Sequence, residues 1–552
     1  MPLVNYLRTN GHPTTPIVLS EGTMYGADWS LGNKSNNGLK NVALSAEYAK
    51  LIAAGATNLH YAKTEDITSA PIVSAEVSGP LVDATVGGTH LTDLGMRKQS
   101  SFWVQFIKGL RASAAADVMS ATGSTGVPPP LARAETKFEL NETYLAAERA
   151  ESDSIAVPDM EIDPTGTGPH ASSTDTDTDL SNLPPSPPIP ALAFVGGRSF
   201  PSAQRNHTFD RFPLKYAATL RPDVWQLGEM STGVYLRFTT DAYSFNVSWK
   251  LRPVCAERWF AGCHLFHMPD SGTSAMDTFV YEPATRAWRH FPNGLLHYAE
   301  SGSVFIYSPT VLRPEGNITY LIYLPLRNAP AAISLQLYPP TASIAGASSP
   351  VDMAPKFATP PIVWYGTSIQ QGGVAARAGN TYDAILSRTL SREVYNVGFA
   401  DNGVMELSVA AMVADIAEAA AIVIDCLPNM DAEQVTNRTA PLVRYIRDNG
   451  HPTTPIVLAE GTPTPADWFN ASINGVVPDP RNTALRAQYD ALVAAGVTNL
   501  HYVTAGDLFI PQLTNGSEGK DVNPTVCGVH SSDLGQYELA AFYTGFFRTL
   551  LG

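Results

Sequence analysis

The stretch PIVWYGTSIQQGG at residues 361–373 joins an apolar run to a glycine-rich turn, and it opens the segment that decides the fold. Four more apolar runs follow: EVYNVG at 393–398, AIVID at 421–425, PIVLAE at 455–460 and TNLHY at 498–502. Each run is expected to form a strand followed by a helix, and this alternation is typical of a parallel sheet. The sequence therefore predicts an α/β domain with a doubly wound sheet, whose reactive groups lie at the carboxyl ends of its strands.

Part of this segment occurs twice in the chain, once near each end. The matching pairs, in order, are residues 2–24 with 441–463, 53–63 with 494–504 and 85–95 with 525–535. Two copies do not make a solenoid. Residues 1–112 are therefore predicted to be a partial duplicate of the last part of the α/β domain, a truncated half-domain with an open sheet edge.

The segments between the two copies differ sharply in composition. Residues 113–190 are rich in Pro, Ser, Thr and Asp and are predicted to be a disordered linker, because they cannot bury enough apolar surface to fold. Residues 191–350 contain short alternating runs such as GVYLRFTTDA and ITYLIYLPL, separated by turn residues. That pattern predicts an all-β sandwich of the jelly-roll kind, followed by the α/β domain at 351–552.

Composition excludes several classes of protein and partner. In 552 residues, apolar side chains make up 44% and charged ones 16%, which excludes wholesale disorder and a coiled coil. The net charge is −15 and no Lys/Arg run is present, which argues against nucleic acid as a partner. No apolar stretch approaches the roughly 18 residues of a membrane span. A small-molecule substrate is expected, and the oligomeric state is left open.

Three polar residues and one loop occur where predicted strands end. Ser368 follows the first strand and is expected at the start of a helix, where the helix field favours a reactive hydroxyl. Asn429 ends a later strand and could donate to an oxyanion, and His530 precedes the last helix, where it could act as a base. The loop GFADNG at 398–403 offers backbone N–H groups. Taken singly, Ser368 is interpreted as an N-cap, Asn429 as a turn residue and His530 as a structural histidine. Together with the loop they indicate a hydrolase.

In their order and spacing these motifs resemble the SGNH (GDSL-type) hydrolases, in the subgroup with a small GxDLY-like β-domain before the catalytic domain. The catalytic motifs are GTSIQQGG, NVGFADNG, IDCLPNM, PIVLAEG and GVHSSDLG, and the β-domain contributes RPDVWQLGEMSTGVYLRFTTDA at 221–242, DTFVY and YLPL. The resemblance covers about 190–552 and implies a flavodoxin-like three-layer α/β/α domain. It also implies a serine esterase that forms an acyl-enzyme and uses neither metal nor cofactor.

The resemblance assigns roles to individual residues. It implies that Ser368 is the nucleophile and His530 the base. An oxyanion hole would consist of Asn429 and the N–H groups of Ser368 and Asp401. The implied substrate is an ester of a small acyl group such as acetyl, carried for example by a carbohydrate.

Two residues depart from the family pattern. Asp401 replaces a glycine whose N–H lies in the oxyanion hole, so its charge and backbone angles bear on catalysis. Cys527 replaces the acid three residues before the histidine, so nothing obvious orients His530. Asp521 is a possible acid substitute, whereas Asp533 is expected to cap the last helix. The alternative function is a catalytically impaired relative that serves as a carbohydrate-binding or scaffold module.

The partial copy and the cysteines raise further questions. The copy has His90 at the base position but Gly87 at the acid position and no serine block, so it is not expected to be a second active site. Cys255 and Cys263 could form a disulfide, or a zinc site with His264 and His267. Cys426 and Cys527 both flank the predicted site and could pair or remain free thiols.

The compartment is left open by two opposing signals. The first residues show no charged start followed by an apolar region, so no signal peptide is visible. N-glycosylation sequons favour a secreted or endomembrane glycoprotein. Eight are present, at Asn33, Asn141, Asn206, Asn246, Asn317, Asn437, Asn470 and Asn515.

Overall fold

The computed structural model describes most of the predicted β-rich and α/β domains and part of the N-terminal copy. The described residues are 2–9, 14–21, 36–63, 85–86, 90–91, 102–103, 105–110, 194–200, 203–252, 267–291, 301–307, 316–346, 354–462, 479–508 and 524–552. The whole of the predicted linker at 113–190 lies outside them. Among these residues, no helix is both long and apolar enough to cross a membrane.

The N-terminal copy contains a small parallel sheet. Its helices span Pro2–Thr9 and Asn36–Ala53, and its strands are β1 (Ile17–Ser20), β2 (Leu59–Ala62), β3 (Thr85–Val86) and β4 (His90–Leu91). β1 pairs with β2 in parallel, and β3 pairs with β4 antiparallel. Among the described residues, β1 has a partner strand on the β2 side alone.

A β-rich domain of two antiparallel sheets precedes the α/β domain, as predicted. Its strands are β5 (Phe194–Gly196), β6 (Tyr235–Thr240), β7 (Ser244–Leu251), β8 (Asp277–Glu282), β9 (Ala287–Phe291), β10 (Ser301–Tyr307), β11 (Ile318–Tyr323), β12 (Pro330–Tyr338) and β13 (Ile344–Ala345). One sheet has the order β10-β7-β12; the other has the order β13-β6-β11-β8-β9, with β5 also paired to β6. Two short helices, Pro222–Gly228 and Asp270–Thr273, connect the strands.

The larger antiparallel sheet is buried on both faces. Toward the smaller sheet, Phe238 and Tyr320 pack in one core with Phe245 and Leu335. On the opposite face, side chains of the same sheet, among them Phe279, form a second core with residues of the α/β domain. Since two apolar faces are removed from water, this sheet joins the β-rich domain to the α/β domain instead of standing alone.

The α/β domain has the predicted parallel sheet. Its strands are β14 (Ala358–Gly366), β15 (Arg392–Gly398), β16 (Ala421–Asp425), β17 (Ile456–Ala459) and β18 (Leu500–Val503), and its helices are Tyr382–Leu390, Leu407–Ala414, Ala432–Asp448, Pro480–Ala494, Ala505–Leu508 and Asp533–Leu551. All strand pairs are parallel, in the order β15-β14-β16-β17-β18. This is the flavodoxin-like order. Buried apolar clusters line both faces of the sheet, which is why the strands read as continuous apolar runs.

Equivalent contacts occur in the two copies of the sequence repeat. Arg8 and Arg447 each donate to two backbone carbonyls just ahead of β2 and β18, respectively. Tyr61 and Tyr502 each donate to a glutamate 2.6 Å away. The surroundings differ. β17 is buried between β16 and β18, whereas β1 is half-exposed. The same apolar sequence therefore lies inside a complete sheet in one copy and in a two-stranded sheet in the other.

Candidate active site

Ser368 lies in a tight turn directly after β14, at the carboxyl end of the sheet. The prediction that it begins a helix is wrong, because the next α-helix starts at Tyr382. Instead, residues 368–374 form successive turns, in which the Gln371 N–H donates to Thr367 O and the Gly373 N–H to Ser368 O. The two glycines of QQGG allow this folding: a Cβ on Gly373 would lie 2.8 Å from Ser368 O and 2.9 Å from His530 Cδ2. The serine side chain is thus presented by a turn and not by a helix dipole.

His530 contacts Ser368 across the end of the sheet. Its Nε2 lies 2.8 Å from Ser368 Oγ, although the two residues are 162 positions apart in the chain. Its other ring nitrogen, Nδ1, lies 3.0 Å from the Sγ atom of Cys527. Ser368 is only 7% exposed, whereas Cys527 is exposed. The geometry therefore forms a Ser–His–Cys chain of hydrogen-bonding groups.

The surroundings of His530 disfavour a positive charge on its ring. The pKa of His530 is lowered to about 4, chiefly by burial and also by His267 and the positive charge of Arg327, while the Asp401 carboxylate acts in the opposite direction. The His267 ring stacks on it, with the ring centroids 5.0 Å apart. The imidazole is therefore neutral at neutral pH and its Nε2 can accept a proton.

Three hydrogen-bond donors are available in the described residues, one on Ser368 itself and two on the loops that carry Asp401 and Asn429. The N–H groups of Ser368 and Asp401 donate to no other described residue. The Oδ1 atom of Asn429 accepts from the Gly403 N–H at 3.3 Å, so its amide NH₂ is the group left to donate. These are the donors that the resemblance assigns to the oxyanion hole.

The loop that carries Asp401 is held by close backbone packing. A Cβ on Gly403 would lie 2.1 Å from Gly366 O, so only glycine fits against the end of β14. The Ala400 N–H donates to the side chain of Gln371 at 2.9 Å, which joins the loop to the Ser368 turn. Asp401 itself has a φ of 56°, in the left-handed region, and its side chain is exposed. The backbone conformation is thus one that favours glycine, and Asp401 adopts it with its carboxylate in solvent.

Asp533 anchors the loop of His530 and is not the N-cap that the sequence suggested. The N-cap of the last helix is Ser532, and Asp533 is the first helical residue. The Asp533 carboxylate accepts from the Ala376 N–H at 2.7 Å and from the Asn380 side chain at 2.9 Å. Both partners follow the Ser368 turn, so this acid joins the two segments that carry the serine and the histidine.

Two side chains of the β-rich domain reach the site and were not predicted from the sequence. His267 stacks on the catalytic candidate His530, and Arg327 acts electrostatically on the same ring. The sequence offered His267 only as a possible zinc ligand. Arg327 directly follows the motif YLPL, and a single cation after this apolar run was the signal that could have indicated its role.

The other sequence candidates have different outcomes. Cys426 and Cys527 are both free thiols; Cys426 is buried and donates weakly to Tyr365 O at 3.8 Å. The alternative pairing of these two cysteines is therefore not adopted. Asp521 lies outside the described residues, as do Cys255, Cys263, His264 and Gly87, and so does the side chain of His90.

One cluster of the β-rich domain has the residue types of a metal site. The side chains of His207, Asp210 and Glu229 bring possible ligand atoms within 4.8 Å of one another. However, Arg252 forms ion pairs with both carboxylates, at 2.7 Å to Asp210 and 3.5 Å to Glu229. Because a guanidinium already neutralises these acids, the cluster reads as an ion-pair network and not as a metal centre.

Comparison with known proteins agrees with the fold of the two domains. Residues 359–548 match the GDSL-like lipase/acylhydrolase family, and residues 191–338 match the GxDLY family, the N-terminus of SGNH-hydrolase-type esterases. No curated protein matches the chain. A GDSL-like lipase from Bacteroides ovatus is 26% identical, with a TM-score of 0.54 over 66% of this chain and 97% of that one. The salicylyl-acyltransferase SsfX3 of a tetracycline biosynthetic pathway is 19% identical, with a TM-score of 0.50 over 66% and 96%.

The fold and the two family matches define a protein with a flavodoxin-like α/β domain and an accessory β-rich domain. Its α/β domain belongs to the GDSL-like lipase/acylhydrolase family, and its β-rich domain belongs to the GxDLY family found at the N-terminus of SGNH-hydrolase-type esterases.

Proposed function

We propose that the chain is a serine esterase that hydrolyses its substrate through an acyl-enzyme. The observation that carries this proposal is the 2.8 Å contact between Ser368 Oγ and His530 Nε2. It has the length of a nucleophile–base hydrogen bond. The unused donors of Ser368, Asp401 and Asn429 support the same function, because such groups can stabilise a tetrahedral oxyanion.

The residues imply the following steps. Neutral His530 accepts the Ser368 proton at Nε2 while Oγ attacks the ester carbonyl carbon. The N–H groups of Ser368 and Asp401 and the amide of Asn429 bind the negative oxygen that forms. The imidazolium then gives its proton to the leaving alcohol. A water molecule, deprotonated by the same Nε2, then attacks the acyl carbon. The bond to Ser368 Oγ breaks, the imidazolium returns its proton to Oγ, and the acid leaves.

Cys527 takes the place of the acid in this scheme. If Nε2 accepts the serine proton, the ring hydrogen of neutral His530 is on Nδ1 and donates to the Cys527 sulfur. A thiol is a weak acceptor and also a weak donor, so it holds the ring in place without fixing this tautomer as a carboxylate would. It stabilises the imidazolium less than a carboxylate would. We infer that Ser368, His530 and Cys527 catalyse hydrolysis, but more slowly than a triad with a carboxylate.

The proposed substrate is an ester of a small acyl group such as acetyl, and a carbohydrate is one candidate carrier. The support is the family resemblance together with the tight packing around Ser368. Ile369 and Val374 of its turn are buried, as are Gly372 and Gly373.

The test is hydrolysis of p-nitrophenyl acetate by the purified chain beside its Ser368→Ala variant. We expect release of p-nitrophenol by the wild type and only background release by the variant. Rapid acid quenching followed by mass spectrometry should find one acetyl group on the peptide that contains Ser368. Equal rates for the two proteins, with no acetylated peptide, would reject the esterase.

The replacement of the family acid by Cys527 favours a second candidate, a module that has lost catalysis and binds carbohydrate. In that case p-nitrophenyl acetate is not hydrolysed, yet calorimetry with acetylated oligosaccharides detects binding. The Cys527→Asp variant separates the two candidates further, since it restores the family triad. An esterase slowed by Cys527 gains activity in this variant.

A further inference from the structure

The guanidinium of Arg327 is a buried cation with few partners. Arg327 is 4% exposed, and its Nε has no hydrogen-bond partner among the described residues. Within that part of the chain, the one hydrogen bond of its side chain runs from Nη1 to the Met230 sulfur, at 3.8 Å. No carboxylate of the described residues forms an ion pair with it. Burial lowers the pKa of Arg327 to about 10, so the group still carries its charge at neutral pH.

The neighbouring Arg211 shows what a structural arginine looks like here. Arg211 is also buried, but its three nitrogens donate to backbone carbonyls of Met230, Leu227 and Gly398 and to both oxygens of Asn396. Its donors are thus used within the fold. Buried donors without partners are costly, so the unused donors of Arg327 call for a ligand.

Arg327 lies next to the catalytic candidates and not in a remote core. The Met230 sulfur that it contacts also accepts from Gln371 Nε2 at 3.1 Å. The side chain of the same Gln371 accepts a hydrogen bond from the Ala400 N–H, in the loop that carries Asp401. The backbone N–H of Arg327 donates to Thr273 O, in the segment that follows His267. After burial, the charge of Arg327 contributes to lowering the pKa of both His267 and His530. Arg327 is therefore linked to the loop of Asp401 through Met230 and Gln371, and it acts electrostatically on both histidines.

We propose that Arg327 binds a carboxylate of the substrate, and that the esterase prefers esters that carry a negative charge close to the scissile bond. This inference rests on the proposed esterase function and deepens it. A carboxylate would accept two parallel hydrogen bonds from the guanidinium fork and neutralise its charge. The carboxylate can belong to the acyl part, as in a dicarboxylic acid monoester, or to the alcohol part, as in an acetylated uronic acid.

A competing role for Arg327 is to offset the charge of Asp401. The two charges attract each other, although they form no ion pair, and Asp401 is exposed. An offset role would make Arg327 necessary for every ester, charged or neutral. It would also make Arg327 dispensable once Asp401 is replaced by glycine.

The experiment compares charged esters with matched neutral ones. For the acyl side the pair is p-nitrophenyl hemiglutarate and its methyl ester. For the alcohol side it is an O-acetylated glucuronic acid and an O-acetylated glucose, with acetate release measured. The Ser368→Ala variant supplies the background for each substrate. The enzymes are the wild type, Arg327→Gln and Arg327→Lys, with thermal melting of each as the check on folding.

We expect the wild type to favour the charged member of at least one pair by about tenfold or more in kcat/KM. Arg327→Gln should abolish that ratio, and Arg327→Lys should keep part of it. The pair that shows the effect identifies the part of the substrate that carries the carboxylate. The inference is overturned if the wild type shows no preference in either pair, or if Arg327→Gln slows both members equally and Asp401→Gly restores them.

Direct binding separates failure of this inference from failure of the esterase function. Calorimetry measures the affinity of glutarate and of glucuronate for the wild type and for Arg327→Gln. Binding that requires Arg327 in a chain without esterase activity would sustain the anion site and reject the esterase. Activity that requires Ser368, with neither charge preference nor anion binding, would reject the anion site alone.

Discussion

The Sγ atom of Cys527 lies 3.0 Å from Nδ1 of His530, at the ring nitrogen that does not contact Ser368. A thiol thus occupies the position at which the family has a carboxylate. It preserves the contact with Nδ1 without the negative charge of a carboxylate. Substitutions at Cys527 can therefore separate two contributions of the acid in such triads, orientation of the histidine and stabilisation of its charge.

Cys527→Asp should accelerate ester hydrolysis. A carboxylate at this position would stabilise the imidazolium that forms during attack, so we expect kcat/KM to rise about tenfold or more. Initial rates with p-nitrophenyl acetate measure the change. Cys527→Ala serves as the opposite control, since it removes the acceptor and should lower the rate. A Cys527→Asp variant no faster than Cys527→Ala would show that this position does not act on His530.

The acid limb of the pH profile should lie unusually low. Because the pKa of His530 is lowered to about 4 by burial, the ring stays neutral and able to accept a proton down to about pH 5. As the pH falls through about 4 the ring becomes protonated and kcat/KM should fall. In Cys527→Asp the new carboxylate favours the protonated ring, so the limb should move to higher pH. A wild-type limb at the ordinary histidine pKa near 6.5 would contradict this environment.

Gly403→Ala should impair catalysis by displacing the loop at 398–403, which carries Asp401. Its Cβ would lie 2.1 Å from Gly366 O, so the loop must shift, and the contact with Asn429 shifts with it. We expect kcat to fall by about 10² or more, as when an oxyanion donor is removed. Gly545→Ala is the matched control, because no atom lies within 4 Å of the added Cβ in the last helix. Equal rates for the two variants would argue against a catalytic role for the loop.

Alkylation should inactivate the enzyme through Cys527. Cys527 is exposed whereas Cys426 is buried, so iodoacetamide should reach the first much faster. The added group would separate the sulfur from His530 and obstruct the ring. Residual activity after timed treatment is the measurement, and Cys527→Ser, which keeps the other three cysteines, should resist. Equal inactivation of wild type and Cys527→Ser would assign the effect to another residue.

The two copies of the repeat offer a comparison of equivalent histidines. His530→Ala should lower kcat by about 10³ or more, because it removes the proposed base. His90→Ala should leave the rate unchanged, since the N-terminal copy lacks the serine block and the oxyanion loop. Parallel assays with p-nitrophenyl acetate compare them. A loss of activity in His90→Ala would show that the N-terminal copy takes part in catalysis.

Much of the architecture follows from local sequence. The runs IVWYG and AIVID are apolar at every position or nearly so, which suits a strand covered on both faces, and they form β14 and β16 side by side. The alternating runs of the β-rich domain likewise form antiparallel strands. Such patterns are readable because burial of a strand face is decided by residues within the strand itself. The order of the motifs also pointed to Ser368 and His530 as partners.

Tertiary structure decided the surroundings of that pair. The turn that carries Ser368 brings Gly373 so close to His530, 157 residues away in the chain, that only a residue without a side chain fits at position 373. Arg327 and His267 reach the site because one face of the larger antiparallel sheet packs on the α/β domain. The contact of Cys527 with His530 depends on the loop that Asp533 anchors. These features arise from surfaces that meet only after folding, so no local pattern encodes them, whereas the strands and the motif order are encoded locally.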